Sequence, residues 1–209
     1  MRSLLFSLLL IAGVHPAIAE VQGTEVKGAE VQDTVAQGAA EQTVGAQSAC
    51  PAYLNHEFRK LHSSESVNLC DIAAGKPVLF INTASNCGFT PQFKALEQLN
   101  KEYGPKGLVL VGFPSDDFFQ EENDEKDTAN VCYLNYGVTF TMLATSAVRG
   151  GDANPVFEYL GDKAGSPKWN FYKYLVSADG SEVKAFNSRV KPDSLELKAA
   201  IEALLPKAL

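Results

Sequence analysis

The stretch that most limits what this chain can fold into runs from Val78 to Tyr103. Val78-Leu-Phe-Ile81 is a short unbroken apolar run, as a strand buried on both faces of a parallel sheet requires. Asn82-Thr-Ala-Ser-Asn-Cys87-Gly-Phe-Thr-Pro-Gln92 follows it. Pro91 stands where a first helical residue belongs, and a helix is predicted over Phe93–Tyr103. Strand, turn and helix in that order put Cys87 in the turn, aimed at unpaired backbone N–H groups and the positive end of the helix dipole. Such a position favours the thiolate, which is the reactive form of cysteine. The competing reading is a buried structural cysteine. Gly88 and Thr90 argue against it, because they offer the sulfur little side-chain cover, so Cys87 is read as a reactive cysteine.

The rest of the globular part alternates strand and helix. Strands are predicted at Val78–Thr83, Leu108–Phe113, Tyr172–Ser177 and Val183–Phe186, and helices at Phe93–Tyr103, about Asp124–Tyr136, Pro155–Leu160 and Ser194–Leu205. Asp179-Gly180 between the last two strands is a hairpin signal. Pro192-Asp193-Ser194 caps the last helix, whose apolar positions are read as Leu195, Ala199 and Leu204. Gly150-Gly151-Asp152 is a turn without any surrounding phosphate-loop pattern. Two parallel strands joined by a helix, then an antiparallel hairpin and a closing helix, describe an α/β thioredoxin-like fold with a central mixed sheet flanked by helices.

The chain has 209 residues, more than one such domain needs. Arg2, the apolar stretch Leu4–Val14 and Ala17-Ile-Ala19 form the three parts of a signal peptide at residues 1–19, and the apolar part is too short for a membrane span. Residues 20–48 are rich in Val, Gln, Gly, Ala, Thr and Glu, carry degenerate five-residue repeats from Val21 to Thr34, and contain no aromatic residue. With no core to offset ordering entropy, this segment reads as a disordered low-complexity tether. Residues 49–209 form the domain. Without residues 1–19 the chain carries 17 basic and 25 acidic residues, a net charge of −8. An acidic chain without a basic stripe is a poor partner for nucleic acid or anionic lipid.

Three blocks together give the chain a family resemblance. Asn82–Gln92 resembles the active-site signature of the glutathione peroxidase family, Gly112-Phe-Pro-Ser115 resembles its next strand, and Lys168-Trp169-Asn170-Phe171-Tyr-Lys-Tyr-Leu175 its Trp-Asn segment. The resemblance covers most of residues 74–205 and implies a thioredoxin-like fold that reduces hydrogen peroxide or organic hydroperoxides. It implies Cys87 as the peroxidatic residue and Trp169 and Asn170 as donors to the sulfur or the developing oxyanion. The bland reading of Trp169 is a buried aromatic anchor. One position departs: Asp117 stands where the family carries a supporting glutamine. An amide donates hydrogen bonds and an ionised carboxylate cannot, and a carboxylate beside Cys87 would oppose its thiolate. Three alternatives stay open. Asp117 stays protonated and donates, it turns away and accepts a proton on the peroxide side, or Gln120 takes its place.

Cys132 follows Cys87 by 45 residues and resembles the resolving cysteine of the non-selenium, thioredoxin-linked branch. That resemblance implies a Cys87 sulfenic acid captured by Cys132 as a disulfide, after partial unwinding of a helix. The acidic, poorly packing run Glu121–Glu125 would permit the unwinding; the plainer alternative is a core cysteine. Cys50 and Cys70 lie outside the matched blocks. In an exported protein they pair by default as a structural disulfide, with a zinc site using His56 and His62, or an electron relay, as rivals.

The expected function is therefore a peroxidase that protects the cell envelope, exported by its signal peptide to the bacterial periplasm. It would use a thiol reductant as co-substrate and no other cofactor, with no metal. The donor is expected to be thioredoxin-like, with glutathione possible, since no basic cluster for glutathione's carboxylates is evident near the motifs. The resemblance also implies a monomer, since family members that form tetramers carry an extra loop where this chain has only the short stretch Met142–Lys168. Two other classes compete: a thiol–disulfide oxidoreductase or peroxide sensor, weakened because Thr90 replaces the second cysteine of a Cys-X-X-Cys pair, and an envelope-binding protein whose site Asp117 has disabled.

Overall fold

The computed structural model describes residues 50–206, so the signal peptide and tether expected at residues 1–48 lie outside the described residues. The sheet carries β3 (Val78–Thr83), β4 (Val109–Pro114), β5 (Thr141–Met142), β6 (Lys173–Val176) and β7 (Val183–Phe186) in the order β5-β4-β3-β6-β7. β3 pairs parallel with β4 and antiparallel with β6, so the sheet is mixed. The β3-to-β4 crossover runs through α2 (Gln92–Tyr103), as parallel pairing requires. All six residues of β3 are buried, because both faces of this central strand are covered.

The two-residue period of β3 divides the core. Leu79 and Ile81 join Phe93, Leu96 and Leu99 of α2 and Leu197 and Ile201 of α5 (Leu195–Leu204) on one face. Val78 and Phe80 meet Val156, Phe157 and Leu160 of α4 (Pro155–Ala164) on the other. Gly112 in β4 is required by this packing, since a Cβ there would lie 2.3 Å from Met142 Sδ of β5. The Asp179-Gly180 turn joins β6 to β7, with Gly180 at φ +76°.

Four elements are not foreseen in the sequence: the antiparallel pair β1 (Glu57–Arg59) and β2 (Ser66–Asn68), the single helical turn α1 (Leu69–Ala73), and β5. They are too short to show a period. Two readings are corrected. The buried face of α5 is Leu197 and Ile201, two positions on from the expected pair, whereas Leu195 is 87% exposed and Ala199 points to solvent; Ser194 caps the helix by accepting from Leu197 N–H, which leaves Leu195 outside the packed face. The helix expected at about Asp124–Tyr136 is α3 (Glu125–Ala129) running on as a π-helical turn, Asn130–Asn135.

Cys50 and Cys70 are joined by a disulfide with Cα atoms 5.8 Å apart, stapling the start of the domain to α1. Bonded to each other, they have no thiolates to offer a metal. Among the described residues no helix is long and apolar enough to cross a membrane.

Candidate active site

The turn between β3 and α2 is built by Thr90. Its hydroxyl donates to Ala84 O at 2.8 Å and accepts from Cys87 N–H at 3.1 Å, so one side chain closes the loop on itself. Phe89 N–H then points at Cys87 Sγ, 3.4 Å away. The amides at the start of α2 are already used: Gln92, Phe93 and Lys94 donate to Phe89, Thr90 and Pro91 carbonyls. The donor on the sulfur is therefore a turn amide rather than a free helix-end amide. The expectation of little cover is also corrected. Thr90 folds into the turn, and Cys87 is only 7% exposed, a free thiol at the edge of the apolar layer beneath α2.

Asn82 brings the Trp-Asn segment to this turn. Its amide donates to Trp169 O at 3.1 Å and accepts from Tyr172 N–H at 3.0 Å, while its own carbonyl accepts from Phe171 N–H at 2.7 Å. Between these bonds Phe171 is fully buried at φ +63°, a strained backbone held by the clamp and by an edge contact with Phe93. The sequence gives Asn82 no role of its own; its signal was a polar residue inside an otherwise apolar strand. Trp169 is 41% exposed with its ring 5.5 Å from Phe118, which removes the buried-anchor alternative.

Asn170 is buried. Its Nδ2 donates to Gln120 Oε1 at 3.1 Å, its backbone carbonyl accepts from Ser188 Oγ at 2.6 Å, and its Oδ1 has no partner among the described residues. Gln120 thus occupies the place beside Asn170, and with its carbonyl engaged its NH2 group is available to donate. Gln120 O also accepts from Asn86 N–H at 2.8 Å, next to Cys87. Of the alternatives left open for Asp117, the geometry has its side chain turned away from this cluster. Its Oδ2 accepts from Val148 N–H at 2.6 Å and Arg149 N–H at 3.1 Å, turning the carboxylate toward the loop that follows β5.

Cys132 is a free, buried thiol in the π-helical turn, in the same apolar layer as Cys87. Burial, and secondarily the Glu121 carboxylate, push its thiol up to about 12. Glu121 corrects the picture of a loose acidic run, because it is buried and accepts hydrogen bonds from Ser85 and Thr128.

Beside Trp169 lies a hollow of about 490 Å³ lined by Phe89, Trp169, Tyr172 and Ser188, with Lys168 and Arg189 at its rim. The fold brings these two cations together from positions 168 and 189, where the sequence showed no basic cluster. Lys173 is fully buried, donating to Gln92 Oε1 at 2.8 Å and Val190 O at 2.7 Å. Burial lowers its amine to about 7.

The turn that carries Cys87, with an amide on its sulfur, lies within the part of the chain that a known family matches. The glutathione peroxidase family model covers residues 55–161. The chain belongs to the glutathione peroxidase family. It is 45% identical over 144 residues to glutathione peroxidase-like peroxiredoxin 2 of Saccharomyces cerevisiae, covering 66% of this chain and 88% of that protein. It is 41% identical over 140 residues to a glutathione peroxidase of Lactococcus lactis, 64% and 88% of the two chains. It is also 40% identical over 136 residues to hydroperoxy fatty acid reductase Gpx2 of Synechocystis, 65% and 88%. The crystal structure of Trgpx in its apo form superposes with a TM-score of 0.56 at 27% identity, over 74% of this chain and 97% of that one. The fold is thioredoxin-like, and the protein is a peroxidase that reduces peroxides with a thiol co-substrate.

Proposed function

We propose that this peroxidase works through two cysteines, with Cys87 attacking the peroxide and Cys132 resolving the product. One observation carries the reading: two free cysteines enter the same buried layer, one on a strand-to-helix turn with an amide on its sulfur, the other on a π-helical turn. The Cys87 thiolate attacks the nearer peroxide oxygen, the O–O bond breaks, and the alkoxide or hydroxide takes up a proton to leave as alcohol or water. Gln120, Trp169 and Asn170 supply the N–H donors for that developing charge. Cys132 then attacks the Cys87 sulfenic sulfur, an S–S bond replaces S–O, and water leaves. A π-turn is poorly bonded and recurs at functional sites, which suits a segment that must open.

The disulfide is returned to two thiols by a thioredoxin-like dithiol, with glutathione the lesser candidate; Tyr133 and Leu134 beside Cys132 are exposed, as docking a protein donor requires. The aromatic hollow with Lys168 and Arg189 at its rim suits organic hydroperoxides as well as hydrogen peroxide. Residues 1–19 direct export, and the Cys50–Cys70 disulfide fits an oxidising compartment such as the periplasm, where the enzyme acts as a monomer protecting the envelope. The test is peroxide consumption with a thioredoxin-like donor. Wild type should turn over, Cys87→Ser should be inactive, and Cys132→Ser should lose donor-dependent turnover while Cys87 still oxidises. Consumption by Cys87→Ser equal to wild type would overturn the assignment.

A further inference from the structure

Glu121 bonds to the segments that lead into both cysteines and has no part in the chemistry described so far. A single oxygen, Oε1, accepts from Ser85 N–H at 3.2 Å, from Ser85 Oγ, from Glu122 N–H at 2.8 Å and from Thr128 Oγ1 at 3.1 Å. Ser85 lies two residues before Cys87, and Thr128 lies four residues, about one helical turn, before Cys132. Neighbouring bonds reinforce the same join: Asn86 Nδ2 donates to Glu122 Oε1 at 2.9 Å, and Glu121 N–H donates to Asp116 Oδ1 at 3.1 Å. A buried carboxylate with four donors on one oxygen is a strong, geometrically exacting link.

We propose that Glu121 is a positioning residue for the resolving step: its carboxylate clasps the Cys87 turn to the helical turn preceding Cys132 and keeps Cys132 a thiol until the clasp opens. The proposal rests on Cys132 being the resolving cysteine. Opening the clasp frees the π-turn to unwind and removes a negative charge from the vicinity of the Cys132 sulfur in one motion. Among the described residues the other titratable groups around the pair are Asp116 and Glu122 on the same loop, Cys87 on the turn, Tyr133 and Glu125 on the helix, and His62 against Glu125; burial raises the Glu121 carboxyl above its ordinary value, opposed by its four donors. Arg59 is committed to Glu125 at 2.9 Å and does not neutralise Glu121. The upward push on the Cys132 thiol, caused first by burial and then by Glu121, agrees with this arrangement.

The variant Glu121→Gln keeps an acceptor oxygen and removes the charge. Each unit by which the Cys132 pKa falls gives about tenfold more thiolate, partly offset by lower nucleophilicity, for a net gain of roughly threefold. The experiment mixes the purified full-length enzyme with excess hydrogen peroxide across a pH series, quenches rapidly, and quantifies Cys87 sulfenic acid, the Cys87–Cys132 disulfide and Cys87 sulfinic acid by mass spectrometry. In Glu121→Gln, Cys87 oxidation should stay within about twofold of wild type, disulfide formation should accelerate about threefold or more with its pH profile displaced to lower pH, and sulfinic acid should fall. Glu121→Asp keeps the charge with a shorter reach, so its profile should stay where the wild type's is. A Gln variant with wild-type disulfide rate and pH profile overturns the proposal. So does an equal loss of both steps in the two variants with an unmoved profile, the mark of a purely structural residue. If wild type oxidises but never forms the Cys87–Cys132 disulfide, the resolving assignment itself fails, and this proposal with it.

Discussion

At the scale of single residues, the exchange of glutamine for Asp117 is resolved by where side chains point. The Asp117 carboxylate caps two amides of the loop after β5, and Gln120 reaches Asn170 instead. Gln120→Ala should therefore slow Cys87 oxidation by about a hundredfold, on the scale of losing one donor to a developing charge. Asp117→Ala should leave that rate within about threefold and cost about 1–2 kcal/mol of stability through two orphaned amides. Stopped-flow oxidation and denaturant unfolding of both variants separate the two roles; a large rate loss in Asp117→Ala alone would reverse the assignment. The motif residues Cys87, Trp169 and Asn170 were legible in the sequence because they stand in ordered blocks with distinctive composition. Asn82 and Glu121 were not, because a lone buried polar residue reveals its partners only when the chain is folded. Phe119, 88% exposed at φ +59°, occupies the tight turn that shifts Gln120 into place.

At the scale of elements, the four long strands and four helices follow from apolar period and from Pro, Asp-Gly and Ser punctuation. The short pieces β1, β2, α1 and β5 carry too few residues for a period to emerge, and the phase of α5 was misread by counting from its exposed Leu195. Strand β6 hides a further property. Lys173 faces the start of α2 and the 187–191 loop, and among the described residues no carboxylate meets its amine; burial lowers it to about 7. Below that pH the amine is charged in folded and unfolded chains alike, and its burial counts fully against stability. Between about 7 and the ordinary lysine value only the unfolded chain holds the proton, so stability rises with pH, by at most about 1.4 kcal/mol per unit. Cys132 acts oppositely, but only from its ordinary value near 9 upward to about 12. Denaturant unfolding from pH 6.5 to 8.5 should thus show rising stability in wild type and a flatter profile in Lys173→Met. Identical slopes in the two would refute the buried amine as the cause.

At the scale of the whole molecule, the mixed sheet places the turn after β3, the loop after β4 and the segment before β6 at one end, so residues distant in sequence share a site. The basic rim of Lys168 and Arg189 arises the same way, which is why no reading of the linear chain found it. The Cys50–Cys70 staple closes a twenty-residue separation away from this end and is worth about 3 kcal/mol by loop entropy. The central claim is that two buried cysteines, apart in chemistry until peroxide arrives, become one disulfide. Peptide-level mass spectrometry of the protein before and after one equivalent of hydrogen peroxide tests it most directly. The account predicts a Cys87–Cys132 disulfide appearing only after peroxide, with Cys50–Cys70 bridged throughout. Cys87 remaining a thiol, or oxidised without ever bonding Cys132, would contradict it.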